Sequence, residues 1–349
     1  MTKQRVLLAM SGGVDSTAAA VLLLHEGYHV DGVMLHLHGE ADESAEADAR
    51  AAAAHLGIGF TLLDGQESFR RSVIEPFIAD YCAARTPNPC IRCNERVKFG
   101  LLLDYALAQG YDYLATGHYA RIEKDEKGIA HLLRGLDRSK DQSYVLCRLT
   151  QHQLSHLLLP LGSVDKTYAR QVTQEAGLLN ADRGDSQDIC FVPDGDYVAF
   201  MKRYRGKDYP AGDYLDLNGK VVGKHCGAVC YTLGQRKGLG IALGAPVYVC
   251  GKNMEANTVT VGPESALFAT ALLADGWSWF PFETLTEPIR VMAKARYRHI
   301  PQPATVYPME DGKAKVVFDA PQRAMTPGQT VALYDGDTVV GGGIITEVL

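Results

Sequence analysis

The sequence predicts an α/β protein: a doubly wound parallel sheet with helical additions, then a small β-rich domain, then a C-terminal β-barrel. Three observations carry this. Up to about residue 120, short apolar runs alternate with stretches of helical periodicity. That is the βαβα rhythm of a parallel sheet covered on both faces. A glycine-rich turn, "SGGVDST" (11–17), joins the first apolar run to the first periodic stretch. After Gly206 glycines crowd in, and apolar runs shorten into alternating segments joined by turns, the texture of β modules.

The elements follow in order. "RVLLAM" (5–10), "YHVDGVMLHLH" (28–38), "GFTLLD" (59–64) and "YDYLATGH" (111–118) read as strands. Between them, 15–27, 42–57, 66–85 and 94–110 read as helices, three of them closing on glycine, a common helix stop. The second has an acidic first turn, as its dipole prefers. Residues 119–137 form a hairpin around "DEKG". A helical patch runs from "TQHQLSHLL" through 163–178, with Ser163 as N-cap and Gly177 as stop, and 194–205 adds one more helix. "GDYLDLNGKVVGKH" and "PVYVCGKNMEANTVTVG" are strand–turn–strand units. The divisions fall at 1–205, 206–267 and 268–349.

Composition bounds the function. The chain has 349 residues, 46% hydrophobic and 22% charged, with a net charge of −6. A membrane protein is not indicated, and no global positive field draws in nucleic acid, so any RNA contact must be local. "RVLLAM" is too short for a signal-peptide core. A cytosolic, reducing setting follows, where eight cysteines are not structural disulfides.

The loop between the first strand and helix is built for an anion. Gly12 and Gly13 admit close backbone approach, Ser11, Ser16 and Thr17 offer hydroxyls, and the helix N-terminus faces the ligand. It is neither GxxxxGK[ST] nor GxGxxG. Asp15 within an anion site calls for a bound Mg²⁺ between carboxylate and pyrophosphate.

"RTPNPCIRCNERVKF" (85–99) sets Cys90 and Cys93 behind Pro87 and Pro89. Half a zinc site, a redox pair and plain buried thiols are all open readings. The prolines hold an extended lead into a helix expected near Asn94. Cys93 then lies at a helix N-terminus beside Arg92, Arg96 and Lys98, each lowering its pKa. Cys190 is flanked by Asp185, Asp188 and Asp194, which oppose a thiolate. Cys82, Cys147, Cys226, Cys230 and Cys250 are expected in the core.

The strings "AMSGGVDST" (9–17), "RTPNPCIRCNERVKF" (85–99), "ATGHYAR" (115–121), "KDQSYVL" (140–146), "SQDICF" (186–191), "YTLGQRKGLG" (231–240), "ARYR" (295–298) and "PQRAMTPGQ" (321–329) together resemble the tRNA-specific 2-thiouridylases. These belong to the Rossmann-like PP-loop ATP-pyrophosphatases, and the likeness spans essentially the whole chain. The resemblance implies ATP and Mg²⁺, and adenylation of the wobble-uridine 2-oxygen. It implies Cys93 as nucleophile and Cys190 as persulfide carrier. Ala9, Met10, Ser11, Gly12, Gly13, Val14, Asp15 and Ser16, with Leu35 and Gly117, fall to ATP. His118, Lys140, Asp141, Gln142, Arg296, Tyr297 and Gln329 fall to tRNA, with Lys, Glu and Gln acceptors expected. A cysteine desulfurase or relay protein supplies sulfur. One departure stands out: many members have Asp where this chain has Cys90. Three thiols, Cys90, Cys93 and Cys190, equally describe ligands of a labile 4Fe-4S cluster.

Basic runs at 202–207 ("KRYRGK"), 296–299 and around Arg138 and Lys140 offer local RNA contacts. The rival readings are another PP-loop ligase or amidotransferase, such as an NAD or GMP synthetase, and a non-catalytic tRNA- or metal-binding protein.

Overall fold

The computed structural model describes residues 3–38, 43–178 and 189–349. The first four strands are β1 (Arg5–Ala9), β2 (His29–His36), β3 (Phe60–Asp64) and β4 (Tyr113–Ala115). An antiparallel hairpin follows, β5 (Ala120–Lys124) and β6 (Ala130–Arg134), and then the short β7 (Leu157–Leu158). β1 to β4 and β7 form a parallel sheet in the order β3-β2-β1-β4-β7. β1 lies at its centre, and Val6, Leu7 and Leu8 are sealed on both faces. Hence the run is continuously apolar rather than alternating.

Helix α1 (Val14–His25) leaves the C-terminal end of β1 and buries its alanine face with Val6, Leu8 and Ala169. Helix α2 (Glu43–Leu56) buries Ala45, Ala49, Ala52 and Ala53, and these small side chains let it lie close to the sheet. A long helix runs through Pro89–Cys93, the π-helical Asn94–Leu101 and Leu102–Ala108. It starts at Pro89 and not near Asn94. The Asn88 side chain accepts from the backbone N–H of Cys90 and Ile91, and proline suits the first helical position. Helix Lys166–Glu175 is capped by Asp165, which accepts from Tyr168 N–H at 2.7 Å. Ser163 ends the preceding 3-10 turn instead of capping this helix. Gly177 terminates it at φ +73°.

Past helix Tyr197–Arg205 the chain is β-structure. β8 (Gly212–Leu215), β9 (Val221–His225), β10 (Tyr248–Asn253) and β11 (Thr258–Gly262) form a four-stranded sheet in the order β10-β11-β8-β9. β12 (Phe268–Trp279), β13 (Ile289–Lys294), β14 (Gln302–Pro308), β15 (Ala314–Arg323), β16 (Thr330–Asp335) and β17 (Thr338–Val348) pair in the order β12-β15-β14-β13-β16-β17. A β12–β17 pairing closes them into a barrel. The β5–β6 hairpin is present where the sequence placed it, yet it belongs to the barrel's sheet: Leu133 pairs with Thr338 of β17. Arg121 and Arg138 both reach Asp337, and Tyr144 donates to Thr330 C=O at 2.7 Å. The segment from Arg121 to Tyr144 is thereby stitched to the C-terminal barrel.

Candidate active site

The glycine loop sits at the carboxyl end of β1. Met10 N–H donates to Val33 C=O at 2.8 Å, which fixes the strand's exit. Gly12 has φ +72°, and a Cβ there would stand 2.3 Å from Ala45 C=O. Only glycine fits. Gly13 caps α1, and its carbonyl accepts from the hydroxyls of Ser16 and Thr17 at 3.0 and 3.1 Å. Ser16 Oγ accepts from Ser11 N–H at 3.1 Å. Val14 and Ser16 are buried, while Ser11 faces solvent. Ala9 and Leu35 are part-buried near the carboxyl ends of β1 and β2.

Asp15 has protein partners. Its Oδ1 accepts from Lys166 Nζ at 2.7 Å and from the Tyr119 hydroxyl at 2.8 Å. Gly117 packs against the same residue: a Cβ there would lie 2.9 Å from the Asp15 carbonyl carbon. Lys166 and Tyr119 were not picked out from the sequence. One signal existed for Lys166: a lysine at the first position of a helix opposes the dipole and needs a local anion. His118 is buried against Phe99, 2.7 Å from Thr116 Oγ1. Burial pushes its imidazole well below the usual range, with Lys98 adding to the effect. It is therefore neutral and offers no cation to a phosphate.

The thiols converge. Cys93 is buried; Cys90 and Cys190 reach the surface. Cys93 packs in one buried cluster with Phe191, the neighbour of Cys190, and Lys98 opposes the upward push of burial at all three thiols. Phe191 anchors the Cys190 segment through edge contacts with Phe69 and Phe77, their centroids 5.6 and 5.3 Å away. The expected low Cys93 pKa is overturned. Burial pushes this thiol up to about 12, ahead of the opposing pull of Lys98. The residue lies a full turn inside the helix, and the other two basic neighbours are spent elsewhere: Arg92 on Asp80 at 3.2 Å, Arg96 on Glu95 at 3.1 Å. Burial likewise raises Cys90 and Cys190. Of the acidic residues near Cys190, Asp194 faces Arg203, whereas Asp185 and Asp188 lie outside the described residues.

The residues expected at tRNA divide. Asp141 is turned inward, accepting from Arg134 Nε and from the N–H groups of Gly135 and Ser143. Gln142 accepts from Tyr119 N–H at 2.9 Å. The Arg296 guanidinium bridges Leu233 C=O and Thr326 Oγ1. Gln329 Nε2 donates to Thr86 C=O at 2.7 Å, tying the barrel to the proline-rich approach to Cys90. These four position backbone. Lys140 is half-buried on the 137–140 turn, its N–H donating to Asp137 C=O. Tyr297 is exposed, beside Tyr144 and near enough to Cys90 for the thiol's charge to raise its phenol, after burial and Asp141. Lys294 lies 5.3 Å from the centroids of both tyrosine rings, a cation–π contact that the sequence did not single out.

Three family models tile the chain: a tRNA methyl transferase HUP domain at 4–194, a tRNA methyl transferase PRC-barrel domain at 198–263 and an aminomethyltransferase beta-barrel domain at 269–345. The protein named tRNA-specific 2-thiouridylase MnmA in Acetivibrio thermocellus is 46% identical over 99% of this chain and 100% of its own length. The chain belongs to the tRNA-specific 2-thiouridylase family. Thiouridylases of the same name from Carboxydothermus hydrogenoformans and Clostridioides difficile match at 46% and 44%, each over 99% of both chains. Among solved structures, NMN synthetase from Francisella tularensis aligns at TM-score 0.35 and 17% identity, over 59% of this chain and 78% of that one. Within the thiouridylase family the expectation that all five remaining cysteines are core fails for Cys226, which is exposed; Cys82 and Cys250 are intermediate, and only Cys147 and Cys230 are buried. No helix among the described residues is long and apolar enough to cross a membrane.

Proposed function

We propose that this chain carries out ATP-dependent 2-thiolation of the wobble uridine of tRNA. The observation that supports the reading is the shared buried cluster of Cys93, from one helix, and Phe191, next to Cys190 and far away in sequence, with Lys98 acting on both thiols. The glycine loop and the α1 N-terminus would hold the phosphates of ATP, and Asp15, whose Oδ1 Lys166 and Tyr119 orient, would hold a Mg²⁺ that offsets pyrophosphate charge. The uridine 2-oxygen attacks the α-phosphorus and pyrophosphate leaves, so that a poor leaving group becomes AMP.

The terminal sulfur of a Cys190 persulfide then attacks C2, and AMP departs. The Cys93 thiolate attacks the Cys190 sulfur, releasing thiouridine and leaving a Cys93–Cys190 disulfide. The dithiol supplies the two electrons that reduce the sulfane sulfur, and an external thiol resets the pair. In the alternative reading Cys90, Cys93 and Cys190 would be ligands of a 4Fe-4S cluster, and no step above runs through one.

The reading extends to a cytoplasmic enzyme built of units 1–205, 206–267 and 268–349. It accepts tRNAs for Lys, Glu and Gln, and takes sulfur from a desulfurase or relay protein. The test is thiolation of unmodified tRNA with pyrophosphate release followed in parallel. Cys93→Ser and Cys190→Ser are expected to abolish thiolation and retain ATP- and tRNA-dependent pyrophosphate release. Full thiolation by both variants overturns the mechanism. Pyrophosphate release that needs ammonia instead of tRNA points to an amidotransferase.

A further inference from the structure

A second pair of thiols lies just after β9, separate in sequence from the three around Lys98. Cys226 follows β9 and is exposed; Cys230 closes a 3-10 turn, Ala228–Cys230, and is buried. The turn between them is tightly specified. Gly227 has φ +118°. Its N–H donates to His225 Nδ1 at 3.0 Å, and Ala228 N–H donates to Asn257 Oδ1 at 2.9 Å. Cys230 N–H returns to Gly227 C=O at 3.0 Å. This folding-back brings the Cys230 side chain onto the backbone of Cys226. The Cys230 thiol donates to Cys226 C=O at 3.6 Å. Cys226 Sγ is also 3.4 Å from the Tyr231 hydroxyl.

We propose that Cys226 and Cys230 form a reversible dithiol–disulfide site, distinct from Cys93 and Cys190, that reacts with low-molecular-weight disulfides of the glutathione type. The division of labour follows from exposure. Cys226 faces solvent and attacks first: its thiolate bonds to one sulfur of the reagent, the reagent S–S bond breaks, and one free thiol leaves. Cys230, held behind it, then attacks Cys226 Sγ and expels the second thiol. Each cysteine gives up one proton. The protein dithiol loses two electrons and the reagent disulfide gains them. Burial raises the Cys230 thiol, and the neighbouring Lys202 ammonium pulls it back, which suits a thiol that resolves rather than initiates.

The chemistry has a structural outlet. Cys230 leads directly into Tyr231, Thr232 and Leu233. Tyr231 C=O accepts from Lys252 Nζ at 2.8 Å, Thr232 lies 3.4 Å from the Tyr197 hydroxyl, and Leu233 C=O accepts from Arg296. A covalent link at Cys230 stiffens the strap that connects the middle sheet to both its neighbours.

The experiment uses the full chain carrying Cys93→Ser and Cys190→Ser, so that failure of the thiolation mechanism cannot be mistaken for failure here. The folded protein is equilibrated with mixtures of oxidised and reduced glutathione, acid-quenched, alkylated and peptide-mapped. A Cys226–Cys230 linked peptide is expected, rising with the oxidised fraction and abolished by dithiothreitol. Adding Cys230→Ser is expected to halt the reaction at a glutathione adduct on Cys226. Absence of the linked peptide at every ratio, or its appearance only in denaturant, overturns the proposal. So does oxidation confined to Cys82, Cys90, Cys147 or Cys250.

Discussion

Lys166 Nζ lies 2.7 Å from Asp15 Oδ1, and the lysine is almost wholly buried at the start of its helix. A buried ammonium needs a carboxylate, and here that carboxylate stands in the first turn of α1, behind the phosphate loop. Lys166→Met is expected to raise KM for ATP by roughly tenfold or more, equivalent to about 1.4 kcal/mol. Lys166→Arg is expected to recover part of the loss. Initial rates of pyrophosphate release against ATP concentration check this; an unchanged KM in a folded Lys166→Met protein refutes it.

Alkaline behaviour follows from Cys93. Its folded value, about 12, stands above the ordinary 9.0 because of burial. The folded protein therefore favours the neutral thiol. The associated stability is complete below pH 9.0 and is lost as pH climbs toward about 12. At pH 8 the thiolate fraction is on the order of a thousandfold below that of an ordinary thiol. Iodoacetamide labelling of Cys93 in the free enzyme is expected to be correspondingly slow and to rise with pH through the alkaline range. Lys98→Met is expected to slow it further. Labelling at the rate of a small-molecule thiol contradicts the burial described.

At Gly12 both space and backbone forbid a side chain. The Cβ of Gly12→Ala would stand 2.3 Å from Ala45 C=O, on a residue at φ +72°. A cost of about 1–3 kcal/mol is expected, with the loop displaced and ATP binding lost. Calorimetric titration with ATP, alongside a urea melt, separates the two effects.

Gln329→Ala removes the bond to Thr86 C=O at 2.7 Å. A stability loss of about 0.5–1.5 kcal/mol is expected. The turnover number is expected to fall more than KM for ATP, because the loop released leads to Cys90 and not to the phosphate site. A urea melt and a steady-state ATP titration provide the check.

The parallel sheet was legible because its signals are local: continuous apolar strands, glycine stops and a glycine loop between β1 and α1. The barrel was legible from alternation and turns. What stayed hidden was non-local. Nothing in "ARIEKDEKGIAHLLR" announces that the hairpin pairs with β17. Nothing in "NPCIRC" says that burial outweighs the basic neighbours of Cys93, since that depends on Val97, Phe191 and their companions packing around it. Likewise Arg296 and Gln329 were expected at tRNA from the resemblance, and residue type alone does not reveal that each satisfies a backbone carbonyl elsewhere.

The stitching of β6 to β17 has a consequence for biosynthesis. Arg134 N–H finds Asp337 C=O, and Tyr144 finds Thr330 C=O. Both acceptors leave the ribosome some two hundred residues after their donors. The N-terminal half can thus gather its own sheet early in translation, yet the approach to Cys90 reaches its final shape only when the barrel arrives. A nascent chain stalled before Gln329 would hold the glycine loop without the bond that braces the approach to Cys90.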